Sequence, residues 1–383
     1  MKVVFDHQIF QQQRTGGISK SFCEFIPYLR ENGVDWNLSV AQSDNLYLPQ
    51  ILPAGTYSPV RRHYGDVPAI FSSKELGAYW FTLLDRLRIC RTAESLNKSR
   101  SVKTLKKGDF DVFHPTYFNP YFLEYLKGKP FVLTVHDLIP ERFPEYFKAG
   151  DVQISGRKAL MDKAQAIVAV SNNTKKDLVD LYRVPADKIS VIYHGAPTCE
   201  GPVGESMVNA PYFLFVGARG LYKNFARFVQ AFAVFSQKYP EVKIVCTGRP
   251  LSPAEGSMLA SLSLQDKVLS MQVAEEDLRR LYHHAIALVY PSQYEGFGMP
   301  ILEAFSFHCP VLTSPWSSLP EVGGDVALYL REDFSDFSDQ LVRLYTMAPE
   351  QRVELIRAGV ERAGLFSWKK TAAQYADVYK SLL

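Results

Sequence analysis

Short apolar runs of strand length alternate with helical patterns in two successive blocks, and this alternation restricts the fold more than any other feature. The first block holds KVVF (2–5), DVFHPTY (111–117), PFVLTVHD (130–137), AIVAVS (166–171) and ISVIYHG (189–195). The spacing predicts a helix over 19–33 that stops at Gly33, and another over SNNTKKDLVDLY, capped by Ser171 or Asn172. A second block follows: YFLFVG (212–217), KIVCTG (243–248), KVLSMQV (267–273), ALVYPS (287–292), PVLTS (310–314) and ALYL (327–330). Its helices are expected near 224–238, 252–262, 275–285 and 299–307, with two more near 335–346 and 349–364. Continuous apolar runs suit parallel strands buried on both faces. The stretch GAPTCEGPVGESMVNAP (195–211) is rich in Gly, Pro and Ser and reads as a linker. The pattern therefore predicts two doubly wound α/β domains, 1–200 and 206–365, with 366–383 returning to the first. In such sheets ligands bind beyond the carboxyl ends of the strands, and two facing domains would share a cleft there.

The length of 383 residues suits two domains, and 47% hydrophobic against 22% charged residues excludes a disordered chain. Lys+Arg 43 minus Asp+Glu 40 leaves +3, too balanced for a dedicated nucleic-acid binder. Five scattered cysteines (Cys23, Cys90, Cys199, Cys246, Cys309) show neither disulfide nor zinc spacing. The N-terminus lacks a signal-peptide pattern, and no run reaches the roughly 18 apolar residues of a membrane span. A cytoplasmic protein is the expectation. One stretch departs from the balance. Residues 84–107 carry eight cations (Arg86, Arg88, Arg91, Lys98, Arg100, Lys103, Lys106, Lys107) against Asp85 and Glu94, a local +6. Such a helix can lie at the inner face of an anionic membrane, or it can be a solvated face; both readings stay open.

Four places along the strand ends carry chemistry. In YEGFGMPILEAF (294–305), Glu295 and Glu303 lie eight apart around Gly296, Gly298 and Pro300. A strand, a glycine loop and a helix start with Pro in the first turn make an anion cradle of free N–H groups. Glu303 is expected in the first helical turn, where a carboxylate can accept from ribose hydroxyls, and Glu295 in the loop at the other end of the ligand. The plain alternative is a helix with ordinary acidic residues. In FVGARGLYKNF (215–225), Arg219 and Lys223 are two cations suited to phosphate, or else a solvated basic loop. Gly16 and Gly17 open the helix after the first strand and permit close backbone approach, though a lone pair of glycines is also an ordinary loop. His136 follows a buried strand and can support charge at a reacting carbon or be a satisfied core histidine; His194 reads as structural. Neither GxGxxG nor GxxxxGK[ST] occurs. Asp109-Phe110-Asp111 has the spacing of a metal-holding pair but precedes a strand at its amino end, so no metal is expected.

These blocks, with SSLPEVGGDVALYL (317–330), TVHDLIPERFP, IVAVSNNTKKDL and the closing FSWKKTAAQY, resemble in order the retaining glycosyltransferases of family four, whose fold is GT-B. The resemblance fades over 40–110. It implies that Glu295 contacts the donor sugar and Glu303 the ribose, with Arg249 and Val273 near the base. It implies that Gly16, Gly17, Arg219, Lys223 and the amides of Phe297, Gly298 and Met299 hold the diphosphate, with His136 at the reacting centre. Two departures stand out: Ala218 takes the place of an arginine frequent among relatives, and EAFSFHCP (303–310) is bulkier than the usual pattern. Tyr117 and Asn119, just past a strand end, are candidates for the acceptor.

The expectation is a GT-B enzyme with no cofactor and no metal. It would move a hexose from a nucleotide diphosphate sugar, UDP-glucose before GDP-mannose, to a glycan or lipid-linked saccharide. The alternatives are a non-catalytic two-domain sugar-binding protein, or an epimerase or phosphorylase of the same architecture.

Overall fold

The computed structural model describes residues 1–60, 92–147, 152–199 and 201–383, with only the backbone at 152–155 and 221. Residues 84–91 of the basic stretch, with Asp85, Arg86, Arg88 and Arg91, lie outside the described residues. The chain forms two compact units: Met1–Val170, Lys175–Ile192 and Trp368–Leu383 in the first, and Ser171–Thr174 with Tyr193–Ser367 in the second.

The first unit is built on parallel strands. β1 (Lys2–Phe5) pairs with β2 (Asp35–Leu38) on one side and β3 (Val112–His114) on the other. β4 (Val132–Val135), β5 (Ala166–Ala169) and β6 (Ile189–Val191) form a second ladder. Among the described residues a single bridge, Phe113 to Phe131, joins the two. Strand order reverses between β1 and β3, which makes their carboxyl ends the switch point of this sheet. The segment expected as one helix over 19–33 is instead a helix, Gly17–Phe25, followed by a 3-10 helix, Ile26–Asn32. Pro27 has no N–H to give the carbonyl of Cys23, so the α ladder cannot continue. Gly33 ends the run in the left-handed region at φ 73°. The helix Trp368–Lys380 packs here, stacking Tyr375 on Phe25 with ring centroids 4.4 Å apart.

The second unit holds one six-stranded parallel sheet. Its strands are β7 (Tyr212–Phe215), β8 (Lys243–Thr247), β9 (Val268–Met271), β10 (Ala287–Tyr290), β11 (Val311–Thr313) and β12 (Leu328–Tyr329). The order is β9-β8-β7-β10-β11-β12, the dinucleotide-fold order, with its switch point between β7 and β10. Helix Phe225–Lys238 follows β7 and drives Phe228, Phe232 and Phe235 into the core against Phe213 and Phe215. These rings meet edge-on and stacked at about 5–6.4 Å.

Candidate functional site

The loops that follow β7 and β10 are laced together at the second unit's switch point. Lys223 ends a short 3-10 turn, and Asn224 enters the left-handed region at φ 55° to start the next helix. Asn224 Nδ2 donates to Pro291 O at 2.8 Å, and Gln293 N–H donates to Tyr222 O at 2.8 Å. These bonds carry Lys223 into the loop after β10, where its ammonium is ion-paired with Glu295 and donates to Tyr290 Oη at 3.2 Å. Both members of the pair are about nine-tenths buried, so removing either leaves an uncompensated charge, a loss of about 3–5 kcal/mol. Burial and the neighbouring Glu295 hold the Tyr290 phenol neutral, well above its ordinary range.

Glu295 is fixed from behind. Its N–H donates to Ser317 Oγ at 3.0 Å, and Ser318 Oγ reaches the carbonyls of Glu295 and Phe297 at 2.8 Å each. The glycine loop then turns at Gly298, φ 108°, into the helix Met299–Ser306, with Pro300 in its first turn. Among the described residues the N–H groups of Phe297, Gly298 and Met299 make no hydrogen bond. A helix start with three unengaged N–H groups favours anions. Glu303 lies in the second turn, not the first: the helix begins at Met299, so Glu303 is its fifth residue. Its carboxylate is buried and accepts from Tyr282 Oη at 2.9 Å.

Arg219 takes a different course. Its guanidinium is wholly buried and donates from Nε to Glu255 at 2.9 Å, and from Nη2 to the carbonyls of Arg249 and Pro250 at 2.7 and 3.0 Å. It ties the loop after β7 to the one after β8. Burial would raise the Glu255 carboxyl, but hydrogen bonds from Arg219, Ser252 and Arg249 draw it down to about 2. Arg249 itself is half-exposed and grips both oxygens of Glu255 at 2.9 Å. Val273 is half-buried just beyond β9. The network around Glu255 was missed from sequence, although Ser252-Pro-Ala-Glu255 spells the capping box that the structure forms. Tyr290 and Tyr282 carried no signal in the sequence.

The remaining candidates belong to the first unit. His136 is buried one residue past β4, with its ring edge-on to Phe22 at 6.0 Å. Gly16 precedes the helix Gly17–Phe25, and a Cβ there would run into Gln13, whose Oε1 caps that helix at Ser19 N–H, 3.0 Å. Gly17 faces open space. Asn119 caps a 3-10 helix by accepting from Tyr121 N–H at 3.1 Å, and Tyr117 lies against Phe118. Asp109 and Asp111 are both engaged by Lys2, through its ammonium at 2.6 Å and its N–H at 2.7 Å. Among the described residues no three His, Cys, Asp or Glu side chains are grouped to hold a metal ion. None of the described helices is long and apolar enough to cross a membrane.

The two units match two family models in turn: Glycosyltransferase Family 4 over residues 15–199 and Glycosyl transferases group 1 over 204–361. O-antigen chain mannosyltransferase B of Escherichia coli is 30% identical over 293 residues, covering 71% of this chain and 74% of that protein. O-antigen chain mannosyltransferase RfbU of Salmonella typhimurium is 34% identical over 202 residues, covering 52% of this chain and 56% of that protein. The chain belongs to the group 1, family 4 glycosyltransferases. Its fold is GT-B. Sucrose-phosphate synthase from Thermosynechococcus elongatus superposes with a TM-score of 0.72 at 17% identity, over 100% of this chain and 99% of that one. Anabaena Alr3699/HepE in complex with UDP-glucose does so at 0.69 and 15%, over the whole of both chains.

Proposed function

We propose that this glycosyltransferase moves a hexose from a nucleoside diphosphate sugar to a saccharide acceptor with retention, without a metal, in the assembly of a surface polysaccharide. The observation that carries the reading is the Lys223–Glu295 pair beside the three unengaged N–H groups at Phe297, Gly298 and Met299. A diphosphate seated on those groups would draw Lys223 to itself and free Glu295 for sugar hydroxyls. Lys223 and the helix start then neutralise the charge that grows on the leaving phosphate, a role that other enzymes give to a metal ion. Arg219 acts from behind, by holding the loop after β7. Glu303, Arg249 and Val273 serve the ribose and base, Gly16 and Gly17 the diphosphate, and His136 the reacting centre. The acceptor oxygen bonds to the anomeric carbon on the face from which the phosphate leaves, and its proton passes to the departing phosphate oxygen.

The mannosyltransferase relatives weigh toward a mannosyl donor, GDP-mannose, and away from the UDP-glucose expected from the sequence. Their O-antigen roles weigh toward a lipid-linked or growing glycan acceptor. The test is a thermal-shift panel of UDP, GDP, UDP-glucose and GDP-mannose, followed by mass spectrometry of products with a saccharide acceptor mixture. GDP and GDP-mannose are expected to raise the melting temperature, and Lys223→Ala and Glu295→Gln each to cut transfer at least a hundredfold while remaining folded. A protein that no nucleotide stabilises, or variants with wild-type turnover, would remove the reading.

A further inference from the structure

The helix Glu275–His284 packs beside the helix Met299–Ser306 and carries Tyr282 in its last turn. None of the roles assigned above uses this residue. Tyr282 is fully buried, with its ring 5.8 Å from that of Phe307, and its Oη donates to Glu303 Oε2 at 2.9 Å. The turn that carries it is pinned from two sides. Tyr212 Oη donates to Leu281 O at 2.8 Å, and the Arg352 guanidinium donates to Ala285 O and Ile286 O at 2.9 and 2.8 Å. Burial, and next the charge of Glu303, hold the Tyr282 phenol neutral, well above its ordinary range, so it keeps its proton for the carboxylate.

Packing alone does not call for this pair. A phenol and a carboxylate buried between two helices need each other, but an apolar pair of the same shape would be about as stable. What the bond supplies is orientation. A glutamate side chain is flexible, and fixing one of its oxygens on a pinned phenol removes much of that freedom before a ligand arrives. Glu303 stands four residues beyond Met299, so the two share a helix face, about 6 Å apart along the axis. The Cβ of Glu303 leans back toward the helix start. Its carboxylate is therefore held one turn behind the N–H groups assigned to the diphosphate. In a nucleotide the ribose follows the phosphates, and its hydroxyls bond best to a carboxylate that is already oriented.

We propose that Tyr282 is a positioning residue of the nucleotide site: its hydroxyl holds Glu303 in the orientation that accepts from the ribose 2′ and 3′ hydroxyls. The proposal rests on the ribose reading of Glu303 and names the residue that sharpens the site's preference for a ribose.

The test titrates the full chain calorimetrically with GDP and UDP, each against its 2′,3′-dideoxy form, in the wild type, Tyr282→Phe, Glu303→Gln and the double variant. Tyr282→Phe keeps the ring on Phe307 and is expected to fold. The wild type is expected to favour the ribonucleotide by about tenfold or more, and Tyr282→Phe to lower this preference by about threefold or more, with dideoxynucleotide affinity little changed. A ring that only packs would change both forms alike. Because Tyr282 acts through Glu303, the double variant is expected to match Glu303→Gln. An unchanged preference in Tyr282→Phe, or a double variant that discriminates less than Glu303→Gln, would overturn the proposal. The second comparison decides the matter even if Tyr282→Phe alone does not fold. No preference in the wild type, or one that survives Glu303→Gln, would remove the ribose reading and the proposal with it, so the two failures are separable.

Discussion

His114 stands where three elements of the first unit meet. Its Nδ1 is bonded to Tyr379 Oη at 2.6 Å and its Nε2 to Thr134 Oγ1 at 2.9 Å, tying β3 to β4 and to the terminal helix. Complete burial pushes its imidazole down to about 3, and burial likewise pushes His194 down to about 4. A histidine whose folded pKa lies below its unfolded value stabilises the fold fully above about pH 6.5, and this contribution is lost as pH falls toward the folded value. Each such group gives a slope of up to about 1.4 kcal/mol per pH unit in that window. The urea midpoint is therefore expected to drop between pH 7 and pH 5, and to drop less in His114→Gln, which starts lower at pH 7 but ionises nothing there. Parallel pH profiles for wild type and variant would refute the assignment. Such pairings mark the limit of legibility at this scale. Lys223 and Glu295 were both readable as candidates, but they are 72 residues apart, and only the adjacency of β7 and β10 brings them together. Arg219 is a phosphate candidate from its neighbourhood in the chain. The adjacency of β7 and β8 instead offers it Glu255 and two carbonyls, an arrangement that no local spacing encodes.

Among the elements, the glycine loop before the helix Met299–Ser306 depends on the backbone of Gly298. Its φ of 108° is a conformation L side chains rarely adopt, and a Cβ there would stand 3.0 Å from Leu319 Cδ2. Gly298→Ala must twist the loop that presents the N–H groups of Gly298 and Met299, at a strain of about 1–3 kcal/mol. The comparison is Gly33→Ala, also at positive φ (73°) but at a helix end in open space in the first unit. Calorimetric titration with GDP or UDP is expected to show at least a tenfold loss for Gly298→Ala and none for Gly33→Ala, although both lower the melting temperature. Equal affinities in the two variants would detach the glycine loop from anion binding. Most elements were legible because buried parallel strands are continuously apolar, as in β4 (VLTV) and β7 (YFLF). β2 was missed for the converse reason. Among the described residues Asp35-Trp-Asn-Leu38 pairs on one side only, and Asp35 and Asn37 are exposed, so its composition resembles a loop. The bend in the first long helix was marked by Pro27, a signal present in the sequence but outweighed there by the apolar periodicity around it.

At the scale of the whole molecule, a net charge of +3 conceals its distribution. On the helix Ala93–Lys107, Lys98, Arg100, Lys103, Lys106 and Lys107 are exposed, whereas Leu105 is buried and Leu96 and Val102 are half-buried. The helix offers cations outward without an apolar stripe to insert, so any attraction to a membrane through it is electrostatic. Lys103, Lys106 and Lys107 cluster in the C-terminal half of the helix, which is the surface to test. Each cation near an anionic bilayer contributes about 1 kcal/mol, within a Debye length of about 8 Å at physiological salt. Reversing Lys103, Lys106 and Lys107 together to Glu removes about 3 kcal/mol, on the order of a hundredfold in binding, before the added repulsion is counted. Co-sedimentation with phosphatidylglycerol-containing vesicles is expected for the wild type at low salt, to weaken as salt is raised, and to vanish in the triple variant. Phosphatidylcholine vesicles are expected to leave the protein in the supernatant. GDP affinity in the triple variant is expected to match the wild type, because none of these lysines belongs to the loops assigned to the nucleotide. Sedimentation with anionic vesicles that survives the triple reversal would exclude this helix as the membrane contact and leave its charge to solvent.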